Sequence, residues 1–170
     1  MADMRRTFEN QVKEYEEEIV QVNRVSKKTK GGNKIGFSVL VVVGNRNGKV
    51  GVGLGKAPDV SSAIKKGVSI AKKHAIEIPI VNGTIPFEHK IKLGAAKILL
   101  KPAPPGSGVI AGGAVRSVVS LAGIQNISSK VLGTGNQASN VYGTMEALKQ
   151  ISARYYREKA IRGASKKWAH

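Results

Sequence analysis

Two alternating apolar runs, Val39, Val41, Val43 and then Val50, Val52, Leu54, flank Asn45-Arg46-Asn47-Gly48, and this commits the middle of the chain to a β-hairpin. Successive strand side chains point to opposite faces, so a period of two marks a strand with one buried side. Asn-Gly supplies the positive φ angles of a tight hairpin turn. Val20 and Val22 carry the same period upstream, which predicts three antiparallel strands between Ile19 and Lys56. Pro58-Asp59 then opens a helix with Val60, Ala63, Ile64, Gly67, Val68 and Ala71 on one stripe and Lys65, Lys66, Lys72 and Lys73 opposite. The first unit reads as three strands and a helix.

Glu77 to Thr84 contains Pro79 and Asn82-Gly83 without sustained periodicity and marks a domain boundary. Beyond it Ile91, Leu93, Ile98 and Leu100 alternate with Lys90, Lys92, Lys97 and Lys101, a hairpin with one apolar and one basic face. Val115, Val118, Val119 and Ala122 mark a helix ended by Gly123, Ile127 to Leu132 a strand, and Val141, Met145, Leu148 and Ile151 a last helix. The second unit is ββαβα, and the fold class is α+β. With 170 residues and 41% hydrophobic content the chain can bury one moderate core or two small ones. The expected domains are 18–81 and 84–153. Ahead of them, Phe8, Val12, Tyr15 and Ile19 at helical spacing predict an amphipathic helix over Met4 to Glu18, an extension over 1–17 whose acidic side faces away from the body; the alternative is a frayed, solvated segment. Behind them, the tail over 154–170 mixes Arg157, Lys159, Arg162, Lys166 and Lys167 with Tyr155, Tyr156 and Trp168, which suits either stacking and backbone charges or a disordered basic tail.

Charge narrows the function. Six of the eleven acidic residues precede Ile19, beside only Arg5, Arg6 and Lys13, so a chain of net charge +17 carries +20 on the remainder. Such self-repulsion is relieved when phosphates neutralise the cations and counterions are released, which makes nucleic acid the leading partner. Zero cysteines exclude a disulfide framework and zinc-ribbon chemistry. The longest apolar run, Val39 to Val43, is far short of the roughly 20 residues that span a bilayer. The N-terminus has neither a signal-peptide core nor the charge of a transit peptide, and the expectation is a cytosolic, unprocessed chain.

Several motifs have competing readings. Gly51, Gly53, Gly55 and Lys56 match neither the dinucleotide fingerprint nor the Walker loop. These glycines share one strand face and leave it bare, so another backbone, protein or RNA, can approach. Lys27-Lys28-Thr29-Lys30-Gly31-Gly32-Asn33-Lys34 reads as a mobile cationic finger and is the first choice for RNA contact, against a plain solvated tip. Pro104-Pro105-Gly106-Ser107-Gly108 leads into Gly112-Gly113 and a helix, where backbone N–H groups are placed to hold an anion. A nucleotide-using enzyme would exploit the same geometry, but Glu88, Glu146 and Glu158 are the second unit's only acids, too few to ligate a metal-bound triphosphate. His74, His89 and His170 are scattered, and no catalytic constellation, cofactor or metal site is expected.

The segments VNRVSKKTKGG, FSVLVVVGNRNGKVGVGLGKA, LLKPAPPGSGVIAGGAVRSVVSLAGI and GNQASNV, in this order between Val20 and Ile151, strongly resemble the bacterial small-subunit ribosomal protein S-five family. The resemblance implies a first domain like the double-stranded-RNA-binding fold and a second ββαβα domain similar to parts of some small-molecule kinases. It implies no enzyme, but a cytoplasmic ribosomal constituent that binds small-subunit rRNA, joins head to body, touches neighbouring proteins S-four and S-eight, and affects translational accuracy. Carried over by matching residues, the loop Val25 to Lys34, with Lys30, Gly31 and Gly32 at its tip and Asn33 beside it, reaches rRNA at the head. Gly106, Ser107, Gly108 and Arg116 belong to the body contact. Arg24, Lys27, Lys28, Lys30, Arg46, Asn47, Lys49, Lys56, Lys65 and Lys66 complete the expected RNA-binding set. The chain departs from the family pattern at Asn33-Lys34, at Asn45-Arg46 in place of Asp-Gly, and at Gln137-Ala138 in place of Asn-Pro. Two other functions compete with the ribosomal one: a small nucleotide-binding kinase-like enzyme, and a free regulator that reads duplex RNA by shape.

Overall fold

The organising element is β2 (Gly32–Gly44), whose apolar run Val39–Val43 is buried throughout. In the computed structural model, which describes residues 15–167, β2 pairs antiparallel with β1 (Glu16–Thr29) on one side and β3 (Lys49–Ala57) on the other. A fourth strand, β4 (Ile76–Glu77), adds to β3, so the first sheet runs β1-β2-β3-β4 and has one strand more than expected. Two residues are too short to show a period, which is why β4 was unreadable in the sequence.

An unbroken apolar run is what a strand covered on both faces requires. Val39, Val41 and Val43 turn to α1 (Val60–Lys73), where they share a small core with Ala63 and Ala71. Leu40 and Val42, with Val50 and Val52 of β3, turn the other way into a larger core that includes Ile85, Leu100, Val118, Leu121 and Leu148 of the second unit. The first sheet is therefore a middle layer, and the larger core is continuous across both units. Asp59 caps α1, its carboxylate accepting from the Ser62 N–H at 3.3 Å.

The glycines of β3 face α1. A Cβ at Gly51, Gly53 or Gly55 would strike the carbonyl oxygen of Ala71, Gly67 or Ala63 respectively. The backbone that approaches the bare strand is thus the chain's own helix, not RNA.

The second sheet contains β5 (His89–Leu93), β6 (Ala96–Pro102), β7 (Val109–Ile110) and β8 (Ile127–Val131) in the order β5-β6-β8-β7. The α2 (Gly113–Ala122) and α3 (Gln137–Lys167) helices complete the unit. This is the expected ββαβα with one short addition, β7, which pairs parallel to β8. Gly123 ends α2 with φ 88°, the left-handed conformation that makes glycine the usual residue at this place.

The N-terminal segment differs from the expected helix. Residues 4–14 of the helix expected over Met4 to Glu18 lie outside the described residues, but Glu16–Glu18 are the first residues of β1, not a helix end. Their carboxylates do not face away from the basic body. Glu16 meets Arg46 at 2.7 Å, Glu17 meets Lys72 at 3.7 Å, and Glu18 accepts a hydrogen bond from the buried Ser117 hydroxyl at 2.6 Å. Three consecutive acids thus tie β1 to the β2–β3 turn, to α1 and to α2. At the other end, α3 continues as helix through Lys167, with Arg154 stacked 4.5 Å from the Phe87 ring centroid and bonded to Glu158 at 2.9 Å. Trp168 lies outside the described residues.

Candidate nucleic-acid interface

The cationic finger is a β-ribbon. Strand pairing continues from Arg24↔Phe37 to Thr29↔Gly32, leaving only Lys30 and Gly31 as the turn, where the Thr29 hydroxyl donates to the Gly32 carbonyl at 2.8 Å. The open, mobile loop expected between Val25 and Lys34 is instead a regular ladder. Every residue from Val22 to Ile35 is exposed, so both faces are solvated and the period carries no burial signal for a reader to detect. Directly opposed residues share a face, which places Lys27 beside Lys34 on one side and Lys28 beside Asn33 on the other.

At the base of the ribbon, Val25, Ile35, Phe37, Ala57 and Pro58 line a cleft of about 370 Å³ rimmed by Lys27, Lys34 and Lys56. The Lys66 ammonium lies 3.5 Å from the Lys56 carbonyl, which brings the exposed side of α1 to the same corner. Lys65 is exposed beside it on α1. The fold therefore gathers Lys27, Lys34, Lys56, Lys65 and Lys66 at one end of the first sheet, with Lys28, Lys30, Gly31, Gly32 and Asn33 projecting beyond it.

Arg46, Asn47 and Lys49 lie at the opposite end of β2 and do not join this patch. Arg46 has φ 52°, its N–H donates to the Leu121 carbonyl at 2.9 Å, and its guanidinium holds Glu16. The Gly48 N–H donates to the Ala122 carbonyl at 2.9 Å. The hairpin turn thus satisfies carbonyls that the end of α2 leaves without helical partners. Positive φ falls at Arg46 and Gly48, not at Asn47, because the Asn45 side chain accepts from the N–H groups of Asn47 and Lys49 at 2.8 and 3.0 Å and shapes a four-residue loop.

The glycine loop after β6 is likewise structured from within. The N–H groups of Gly106 and Gly108 donate to Asn126 Oδ1 at 3.0 and 3.2 Å, and the Ser107 N–H donates to the Pro104 carbonyl at 3.2 Å. The amides of Gly106, Ser107 and Gly108 are thus occupied from within, whereas the N-terminus of α2 at Gly112 carries no side-chain cap. Asn126, 7% exposed, is the organising residue, and nothing in its sequence setting announces it. Arg116 remains exposed on α2.

Elsewhere Tyr142, beside a groove lined by Ile70, Leu93 and Met145, has its phenol pushed above the ordinary value by partial burial and stays neutral at physiological pH. Among the described residues no three His, Asp or Glu come together to hold a metal ion, and no helix is long and apolar enough to cross a membrane.

The described chain is an α+β body from which a two-stranded, lysine-rich ribbon projects. Residues 15–79 match the family described as ribosomal protein S5, N-terminal domain, and residues 91–160 match ribosomal protein S5, C-terminal domain. The chain is 52% identical over 143 residues to the small ribosomal subunit protein uS5 of Thermotoga maritima, covering 84% of this chain and 80% of the relative. It is 50% identical over 151 residues to that of Thermosipho africanus, covering 89% and 86%. The chain belongs to the ribosomal protein S-five family, whose members are structural components and not enzymes.

Proposed function

We propose that the chain is a structural constituent of the small ribosomal subunit in the cytoplasm, where it binds rRNA, helps fix the head relative to the body, and supports translational accuracy through neighbouring proteins S-four and S-eight. The observation that carries the rRNA reading is the ribbon from Arg24 to Lys34: exposed on both faces, cationic on both faces, and without an ion pair among the described residues. A ribbon of this kind buries too little to be held for folding alone, and fits between phosphate backbones. The kinase-like alternative has less support, since the Gly106 and Gly108 amides of the glycine loop already donate to Asn126 and the family is one of structural components. This reading keeps the expected domain limits, 18–81 and 84–153, for a double-stranded-RNA-binding-like domain and a ribosomal ββαβα domain, although β1 begins at Glu16 and α3 runs to Lys167.

Lys30→Glu at the ribbon tip tests this. Affinity for small-subunit rRNA should fall, and the slope of log affinity against log salt should shrink by about 1, the value of one phosphate contact. Circular dichroism should be unchanged, because Lys30 is exposed in a two-residue turn. Wild-type affinity and slope in this variant would remove the ribbon tip from the interface.

A further inference from the structure

The outward face of the second sheet carries a cation grid. Ile91, Ala96, Ile98 and Leu100 are buried on the inner side, so Lys90, Lys92, Lys97 and Lys101 point outward, joined by Lys130 of β8. Pairing sets their arrangement: Lys92 directly opposes Lys97, Lys90 opposes Leu99, Leu99 opposes Lys130, and Lys101 opposes Ser128. Of the five lysines only Lys101 has an acidic partner among the described residues, Glu88 at 3.5 Å. Alternate residues of a strand lie about 6.6 Å apart and neighbouring strands about 4.8 Å. By these spacings Lys92 lies about 5 Å from Lys97 and about 7 Å from Lys90, with Lys130 two strands over at about 10 Å from Lys90, so the four form one patch roughly 12 Å across without an acidic partner among the described residues.

Like charges placed directly opposite destabilise a sheet, and a phosphate backbone laid along this face would relieve that repulsion. We propose that this face is a second RNA-binding surface, separate from the ribbon, which grips a phosphate backbone through Lys90, Lys92, Lys97 and Lys130. The inference rests on the rRNA reading above and adds a site to it. RNA suits the face better than an acidic protein does. Protein interfaces are depleted in Lys and centred on apolar or aromatic anchors, whereas this face offers only the half-buried Leu99. Lysine ammoniums on short spacings act as point charges that follow a phosphate backbone without reading bases. With the ribbon on the first sheet and this grid on the second, one chain ties two stretches of RNA together.

The test compares three full-length proteins binding small-subunit rRNA across a salt series: wild type, Lys90→Gln/Lys92→Gln/Lys97→Gln/Lys130→Gln, and Lys27→Gln/Lys28→Gln/Lys30→Gln. The sheet variant should melt no lower than wild type, since opposed charges are gone, and its salt slope should be smaller by about 3, at roughly 0.9 per duplex phosphate or 0.7 per single-strand phosphate. The ribbon variant should lose slope independently, and the losses should add when the two sets are combined. A sheet variant with the wild-type slope, while the ribbon variant loses slope, overturns the second surface, leaves the rRNA reading standing, and makes an acidic protein the partner to seek. A wild type that binds rRNA without salt dependence overturns the rRNA reading itself.

Discussion

Gly53→Ala should lower stability by about 3 kcal/mol, at the upper end of the usual overpacking range. For a chain of this size that is a fall in Tm of roughly 6–12 °C. The added Cβ would strike the Gly67 carbonyl and lie 2.7 Å from the Ala71 amide nitrogen. Both are backbone atoms of α1, so no rotamer change relieves the clash. The helix must move off the sheet, which opens the small core of Val39, Val41, Val43, Ala63 and Ala71. Gly113→Ala is the matched control: nothing lies within 4 Å of its added Cβ, and in a helix alanine is preferred over glycine, so it should be neutral or raise Tm slightly. Thermal denaturation of the two variants side by side decides the matter. A Gly53→Ala protein that melts with wild type would show that β3 and α1 are not in backbone contact.

The second large effect is on binding. If the ribbon, the exposed side of α1 and the outward lysines together neutralise about six to ten phosphates, affinity for small-subunit rRNA should drop roughly 10³ to 10⁵ between 50 and 200 mM salt. The sign follows from counterion release: each phosphate contact frees condensed ions, and added salt opposes their release. The structure supplies the cations at low competition. Lys27, Lys28, Lys30, Lys34, Lys65 and Lys73 are exposed without acidic partners among the described residues, while the acids that do pair hold Arg46, Lys72, Lys101 and Arg154. An affinity that barely responds to salt would mean that apolar or base contacts dominate instead. Fluorescence anisotropy with a labelled rRNA fragment measures this directly.

What the sequence showed and what it hid have definite physical causes. The β2–β3 hairpin, α1 with its Asp59 cap, and the Gly123 stop of α2 were legible because each rests on a local rule, a period or a residue with special backbone freedom. The ribbon's ladder was hidden because strand periodicity reports burial, and Lys27 to Lys34 have none. Glu16–Glu18 read as helical because Phe8, Val12, Tyr15 and Ile19 fall three or four residues apart, while the pairing of β1 with β2 is a long-range fact. Val39, Val41 and Val43 are expected to alternate on a strand with one buried side, but Leu40 and Val42 are buried as well, because α1 covers one face of β2 and the second unit the other, which is a long-range fact. The RNA-binding set was read as one list, and the structure divides it. Lys27, Lys34, Lys56 and Lys66 converge, Arg46 belongs to a junction between units, and the amides of Gly106 and Gly108 are held by Asn126, a contact across 18 to 20 residues that no spacing rule contains.

The most direct measurement is sedimentation of the chain, tagged and expressed at native level, in a lysate of its own cells at magnesium concentrations that separate the subunits. The chain should run with the small subunit in near-stoichiometric amount and leave it only at high salt. A chain found at the top of the gradient, absent from the small subunit, would contradict its role as a ribosomal constituent.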